Sequence, residues 1–214
     1  MSAAGPNDAD LAAARGERVL APQHEGFTGP MVSEVRSTLL GAALLTLREQ
    51  GLEQRYFAQL HPSMHETLRT LPGSTWVPIG YAMEHYRACD AMRLAPDEMK
   101  AIGASVSLRT QRSFVATLGR AAASAGATPW HVVAQIPRVW GRIFQGGDHA
   151  AYRLGPKDVE IVTARCPLLE VPYFRVSLGA YYAAIAGLVA RSVHWSPVKG
   201  AREAGAHAIR VSWA

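Results

Sequence analysis

The sequence predicts an α+β protein in which a helix-rich N-terminal two thirds packs on a C-terminal antiparallel sheet. Three observations carry this prediction. Apolar residues recur at helical spacing from Ser33 to about residue 145. After Gly146-Gly147 the period changes to strand-like alternation. Hydrophobic residues make up 49% of the 214 residues and charged residues 18%, enough apolar material for one core that needs no metal or disulfide staple. Residues 1–15 are small and polar and read as a disordered tail; 16–214 read as a single domain.

Each element follows from local pattern. Glu17–Val19 suggests a short strand, and the loop APQHEGFTGP follows it. From Ser33, a candidate N-cap, the stripe Val35, Leu39, Leu40, Ala43, Leu44 and Leu47 predicts a helix that Gly51 ends. A shorter helix over 52–60 stops before His61-Pro62, because the residue before proline avoids helical geometry. Another turn or two of helix fits 64–71, and Pro72-Gly73 breaks it. Trp76-Val77-Pro78 leads into a helix over about 79–92 that carries Tyr81, His85, Cys89 and Met92. Ala95-Pro96-Asp97-Glu98 opens the next, running to about 122, its two acids offsetting the positive end of the helix dipole. Thr128-Pro129 caps a helix over 130–145 that Pro137 must kink or split. Strands are expected at 149–154 and 158–165 around the turn Gly155-Pro156-Lys157, then an apolar helix from Tyr173 to about Gly187, then strands at 188–195 and 206–213.

Charge is unevenly placed. The net charge is +5, yet residues 1–107 hold nine basic and twelve acidic groups, and 108–214 hold thirteen and five. Such a basic half attracts anions, among them an acidic partner protein. Arg109, Arg112 and Arg120 recur near one helical direction, and Arg138 and Arg142 are one turn apart, so these five are the candidate anion-binding residues. The alternative is a solvated arginine face. Cys89 and Cys166 lie in apolar surroundings and read as buried thiols of a reducing compartment. The amino terminus lacks a signal-peptide pattern and the uncharged apolar run Val176–Ala190 is too short to span a bilayer, so a cytoplasmic location is expected.

Motif chemistry is sparse. There is no dinucleotide fingerprint, no phosphate loop and no Gly-x-Ser-x-Gly elbow. His61-x-x-x-His65 has ligand spacing but is interrupted by Pro62. His85-x-x-x-Cys89 is better placed, one turn apart on a continuous helix; it reads as a buried structural pair, with His85 as an axial haem ligand the competing reading. No zinc finger, helix-turn-helix or RNA-binding strand supports nucleic-acid binding.

Four stretches resemble a paralogous family of myxobacterial proteins of about this chain's length and of unassigned function. They are Arg48-Glu49-Gln50-Gly51 followed by Tyr56-Phe57; Trp76-x-Pro78 leading to Tyr81 and Tyr86; Ile102-Gly103, then Arg138 through Gly146; and Phe174 to Gly179 with the ending Gly205-Ala206-His207-Ala208-x-Arg210-Val211-x-Trp213. That family is in turn similar to four-vinyl-reductase-like ligand-binding domains, which share an α+β core with vesicle-tethering subunits and nitric-oxide sensing modules. The resemblance implies helices beside an antiparallel sheet, a buried cavity for a small apolar ligand, and a homodimer. Relatives that carry a Gly-x-x-Cys-x-Phe-like step differ here, where Ala204, Gly205, Ala208 and Ile209 stand and no cysteine does, so a cysteine-based metal function does not carry over.

Four functions are then in play. The first is a non-catalytic regulatory or sensory module that binds a small apolar ligand between helices 79–92 and 173–187, with Tyr81, His85, Cys89, Tyr181 and Tyr182 as the candidate contacts. The second is an interaction domain that dimerises and docks an acidic partner. A haem-binding sensor and an enzyme follow. No catalytic residue, metal ligand or particular cofactor is singled out.

Overall fold

The computed structural model describes residues 16–110, 128–200 and 205–214. The expected tail, and the stretch after residue 110 over which the sequence predicts a helix with Arg112 and Arg120, lie outside the described residues. A five-stranded antiparallel sheet has the order β1-β5-β6-β8-β7, from β1 (Glu17–Leu20), β5 (Asp148–Gly155), β6 (Asp158–Ala164), β7 (Val193–Pro197) and β8 (His207–Trp213). Its pleat separates two faces. Ala151, Ile161, Ile209 and Val211 join the main core under the helices, while Ala150, Val162, Ala164 and Ala208 form a smaller cluster with Phe27 on the other side. The hairpin at 148–164 forms as the alternation predicts, with Tyr152 opposite Glu160 and Ala151 opposite Ile161.

The helices are α1 (Ser37–Glu49), α2 (Glu53–Gln59), α3 (Ser63–Arg69), α4 (Ile79–Ala91), α5 (Pro96–Thr110), α6 (Pro129–Ala134), α7 (Ile136–Trp140) and α8 (Pro172–Ala186). Pro137 splits the expected helix over 130–145 into α6 and α7, as its missing amide requires. At the start of α5, the Ala95 amide donates to Glu98 Oε2 at 2.8 Å, so this first-turn acid caps the helix.

The largest departure from expectation lies at 33–36. Ser33 does not cap α1. Glu34–Arg36 form β2 instead, the middle strand of a three-stranded antiparallel sheet with β3 (Trp76–Pro78) and β4 (Phe144–Gln145). Their partners are more than 40 residues away, so the helical stripe in the local sequence loses to pairing. Ser37 joins the two: its Oγ donates to the Pro72 carbonyl at 2.6 Å and accepts the Thr75 amide at 3.0 Å. Because β2 runs into α1, β3 into α4, and β4 follows α7, this small sheet gathers three helices around one point. The second correction is at 188–192, expected as strand; pairing begins only at Val193.

Helix α8 lies at the centre. It is apolar on nearly every side, with ten of its fifteen residues buried, and packs chiefly on α5. The approach is close because Gly103 faces the α8 backbone: a Cβ there would stand 2.8 Å from both Ser177 Cα and Ser177 O. On the other side, Gly179 leaves room for the Trp195 indole. The N-terminal segment is tied to β5 by Asp148, whose buried carboxylate accepts the amides of Gln23 at 2.7 Å, His24 at 3.0 Å and His149 at 2.8 Å.

Candidate functional site

A cavity of about 40 Å³ lies where α1, α4, α5, α7 and α8 meet. Helix α1 contributes Leu39, Ala43 and Leu47, successive residues of its apolar stripe at intervals of four. Helix α4 adds His85 and Tyr86, α5 adds Ile102, Gly103 and Val106, and Val139, Trp140, Ile143 and Phe144 come from α7 and the chain after it. Helix α8 supplies Tyr173, Phe174, Ser177, Leu178, Tyr181 and Tyr182. Aromatic rings hold the walls in edge contact: Tyr86 meets Phe174 at 4.8 Å and 72°, and Phe144 meets Phe174 at 6.3 Å and 89°. The open space equals roughly two or three water molecules.

A short polar line crosses this apolar region. The Tyr56 hydroxyl and His85 Nδ1 are 2.9 Å apart, and His85 Nε2 lies 3.7 Å from Cys89 Sγ. Beyond Cys89 come Tyr173 and, one helical turn further, Ser177. The hydroxyls of Tyr173, Ser177 and Tyr182 are buried and make no hydrogen bond of ordinary geometry among the described residues. Tyr173 approaches Cys89 and Ser177, and Tyr182 approaches Thr163, so the pairing of these hydroxyls is weak rather than absent, which is itself unusual because buried polar groups are nearly always well paired.

Burial keeps these groups uncharged at neutral pH. It lowers His85 to about 4, so the imidazole is neutral. It raises the Cys89 thiol above the ordinary range, a rise that the Tyr173 hydroxyl only partly offsets. The hydroxyls of Tyr56, Tyr86, Tyr173 and Tyr182 are likewise pushed up, first by burial. The site therefore offers hydrogen bonds and apolar surface rather than charge.

Of the residues the sequence singled out, His85, Tyr181 and Tyr182 line the cavity. Cys89 stands behind His85, and Tyr81 packs partly buried on the core outside the cavity. Tyr181 is also fixed to α5, its carbonyl accepting from Ser107 Oγ at 3.0 Å. Sequence reasoning missed Tyr173 and Ser177. The usable signal was a serine in the middle of a helix whose one charge is Arg175, with a tyrosine one turn before it.

Of the arginine fan only Arg109, Arg138 and Arg142 are among the described residues, Arg112 and Arg120 lying outside them. Arg109 pairs with Glu49 of α1, which neutralises it. Arg138 is exposed on α7, but the helix ends at Trp140 and Arg142 falls beyond it, so their helical spacing does not give a common face. His61 turns to Ser63 Oγ at 2.8 Å and His65 Nε2 to the Leu60 carbonyl at 3.0 Å, and no metal-binding cluster of His, Cys, Asp and Glu occurs among the described residues. No helix among them is long and apolar enough to cross a membrane.

No protein-family model and no curated protein sequence matches the chain. Solved structures do. One, from work on how protein-induced porphyrin distortion modulates haem redox potential, superposes with a TM-score of 0.56 at 10% identity over 83% of this chain and 99% of that one. Another, from work probing haem distortion in the H-NOX family, gives 0.55 at 11% identity, covering 83% and 94%. An oxygen-binding H-NOX domain related to soluble guanylate cyclases gives 0.54 at 10% identity, covering 83% and 94%. The neighbours are thus H-NOX domains rather than the four-vinyl-reductase-like domains that the sequence resemblance implied. At this identity the shared property is the fold: a helical part and an antiparallel sheet arranged as in H-NOX domains.

Proposed function

We propose that this chain is a non-catalytic sensory module whose interhelical cavity takes a small, largely apolar molecule bearing one hydrogen-bonding atom. The observation that carries the reading is the coincidence of an apolar cavity with the weakly partnered hydroxyls of Tyr173, Ser177 and Tyr182, none of which makes a hydrogen bond of ordinary geometry among the described residues. Likeness in fold to an oxygen-binding H-NOX domain supports a sensor over the interaction-domain reading.

Haem does not fit the residues present. The cavity of about 40 Å³ is far below the ~300 Å³ or more typical of cofactor pockets. All eight histidines are among the described residues, and only His85 lines the cavity, with both ring nitrogens already engaged by Tyr56 and Cys89. No lysine or arginine among the described residues lines it to meet a propionate. The ligand is therefore small, or enters by displacing side chains.

The test combines denaturing extraction of the purified protein, followed by mass spectrometry, with a thermal-shift screen of small alcohols, ketones and quinones. A ligand at a hundredfold excess over its Kd stabilises by about 2.7 kcal/mol. The shift should vanish in Ala43→Phe, which fills the cavity. Nothing extracted and no shift beyond that of Ala43→Phe refutes the reading. A Soret band in the purified protein overturns the exclusion of haem.

A further inference from the structure

A second concavity lies away from the apolar cavity. It is a groove of about 460 Å³ between the loop before β2, the turn after β6, the start of α8 and the start of β8. Arg165 and Arg175 line one side, and Phe27, Met31 and Leu169 line another. Arg165 is built in. Its backbone holds φ +60°, its carbonyl accepts the Val32 amide at 2.8 Å, and its Nε donates to the Gly29 carbonyl at 2.8 Å. This spends one donor of the guanidinium and leaves the fork at its end. Arg175 is anchored through one arm of its fork, Nη1 donating to the Leu169 carbonyl at 3.3 Å. Neither arginine has a carboxylate partner among the described residues, whereas Arg48, Arg109, Arg153 and Arg210 all do.

We propose that this groove binds an organic anion, its carboxylate or phosphate held by Arg165 and Arg175 and its apolar body laid over Phe27, Met31 and Leu169. Two pre-positioned guanidinium groups match the planar, multi-donor recognition such anions need. Among the described residues Glu170 is the one acid in the lining, against the two cations Arg165 and Arg175, with His207 neutral. The arginines in question differ from the helical fan that spacing suggested, because the groove is assembled from the loop before β2, the segment between β6 and α8, and the start of β8, three parts of the chain that are distant from one another.

His207 reports on the site. It lines this groove and the neighbouring one, and its Nε2 is sealed from water without a hydrogen-bond partner. The charged groups sharing these grooves with it are Arg175 of α8, Lys100 of α5, and Arg165 and Glu170 after β6. Burial, then the charge of Arg175, lowers the imidazole to about 4. An anion that neutralises Arg175 raises it.

The experiment titrates the intact chain with inorganic phosphate, octyl phosphate and octanoate, following His207 by imidazole NMR and binding by calorimetry. Octyl phosphate or octanoate should bind at one site more tightly than inorganic phosphate, move the His207 titration upward by about one pH unit, and weaken as salt is added. The ratio of the two alkyl ligands separates a phosphate site from a carboxylate site. Arg165→Gln and Arg175→Gln should each weaken binding at least tenfold, while Arg138→Gln leaves it unchanged. No saturable binding, or a His207 titration that does not move in the unaltered protein, overturns the proposal even if a variant fails to fold. Equal affinity in the Arg165→Gln and Arg175→Gln variants overturns it too.

Discussion

Replacing Gly103 by alanine tests the placement of α8 against α5. An alanine Cβ at 103 would stand 2.8 Å from Ser177 Cα, 2.8 Å from Ser177 O and 3.2 Å from Ala180 Cβ. Two of these are backbone atoms, which cannot swing aside, so the helices must separate. Overpacking of this kind costs roughly 1–3 kcal/mol, and a site facing backbone belongs at the upper end. Alanine recovers about 1 kcal/mol through helix propensity. The net is a loss of about 2 kcal/mol, which for a chain of this size lowers Tm by roughly 4–8 °C. Gly41 is the control. It sits on the exposed side of α1, where an added methyl group would meet nothing within 4 Å, so Gly41→Ala should gain the propensity term and raise Tm by a few degrees. Differential scanning calorimetry of the two variants beside the parent decides the matter. If Gly103→Ala is as stable as Gly41→Ala, the helices do not meet at this glycine and the cavity walls are misplaced.

Three further outcomes follow from burial. The unfolded chain protonates its histidines near 6.5, while folded His85 and His149 stay neutral down to about 4 and about 3, so between those values the unfolded state holds more protons. Stability must then fall as pH drops from 7 toward 4, by on the order of 3 kcal/mol for each histidine; guanidinium denaturation at pH 7, 5.5 and 4.5 should show it, and a level profile refutes it. Cys89 and Cys166 are buried, burial raising the first beyond the ordinary thiol range and the second to about 12, so neither should react with a disulfide reagent in the folded protein while both react in denaturant. Ser177→Ala removes a buried hydroxyl that makes no hydrogen bond of ordinary geometry and should leave the ligand-free protein within about 1 kcal/mol of the parent while weakening the hold on whatever the cavity binds.

Most elements were legible because their causes are local. The apolar periods of α1, α4 and α8, the split at Pro137 and the hairpin around Gly155-Pro156-Lys157 depend on residues within a turn or a few positions of one another. The same holds for His85 and Cys89, which spacing alone puts on one helical face and which lie 3.7 Å apart through Nε2 and Sγ. Strand β2 was not legible. Its three residues carry a helical stripe, and only Trp76–Pro78 and Phe144–Gln145, remote in sequence, turn them into a sheet.

Composition and period by themselves determined an α+β chain with helices first, a sheet last and an apolar helix through the middle. Tertiary structure decided which side chains share a space. Arg109 looked like part of one basic helical face and Arg142 like the partner of Arg138 on another, yet Glu49 neutralises the first and the end of α7 leaves the second beyond the helix. Tyr173 and Ser177 drew no attention as residues, and acquire meaning only because α5, through Gly103, lies close enough to shut their hydroxyls away from water. The physical reason is range. Hydrogen bonding along a helix and the pleat of a strand are set by near neighbours, whereas the solvation of a hydroxyl or the partner of a guanidinium depends on chain that returns from far away in the sequence.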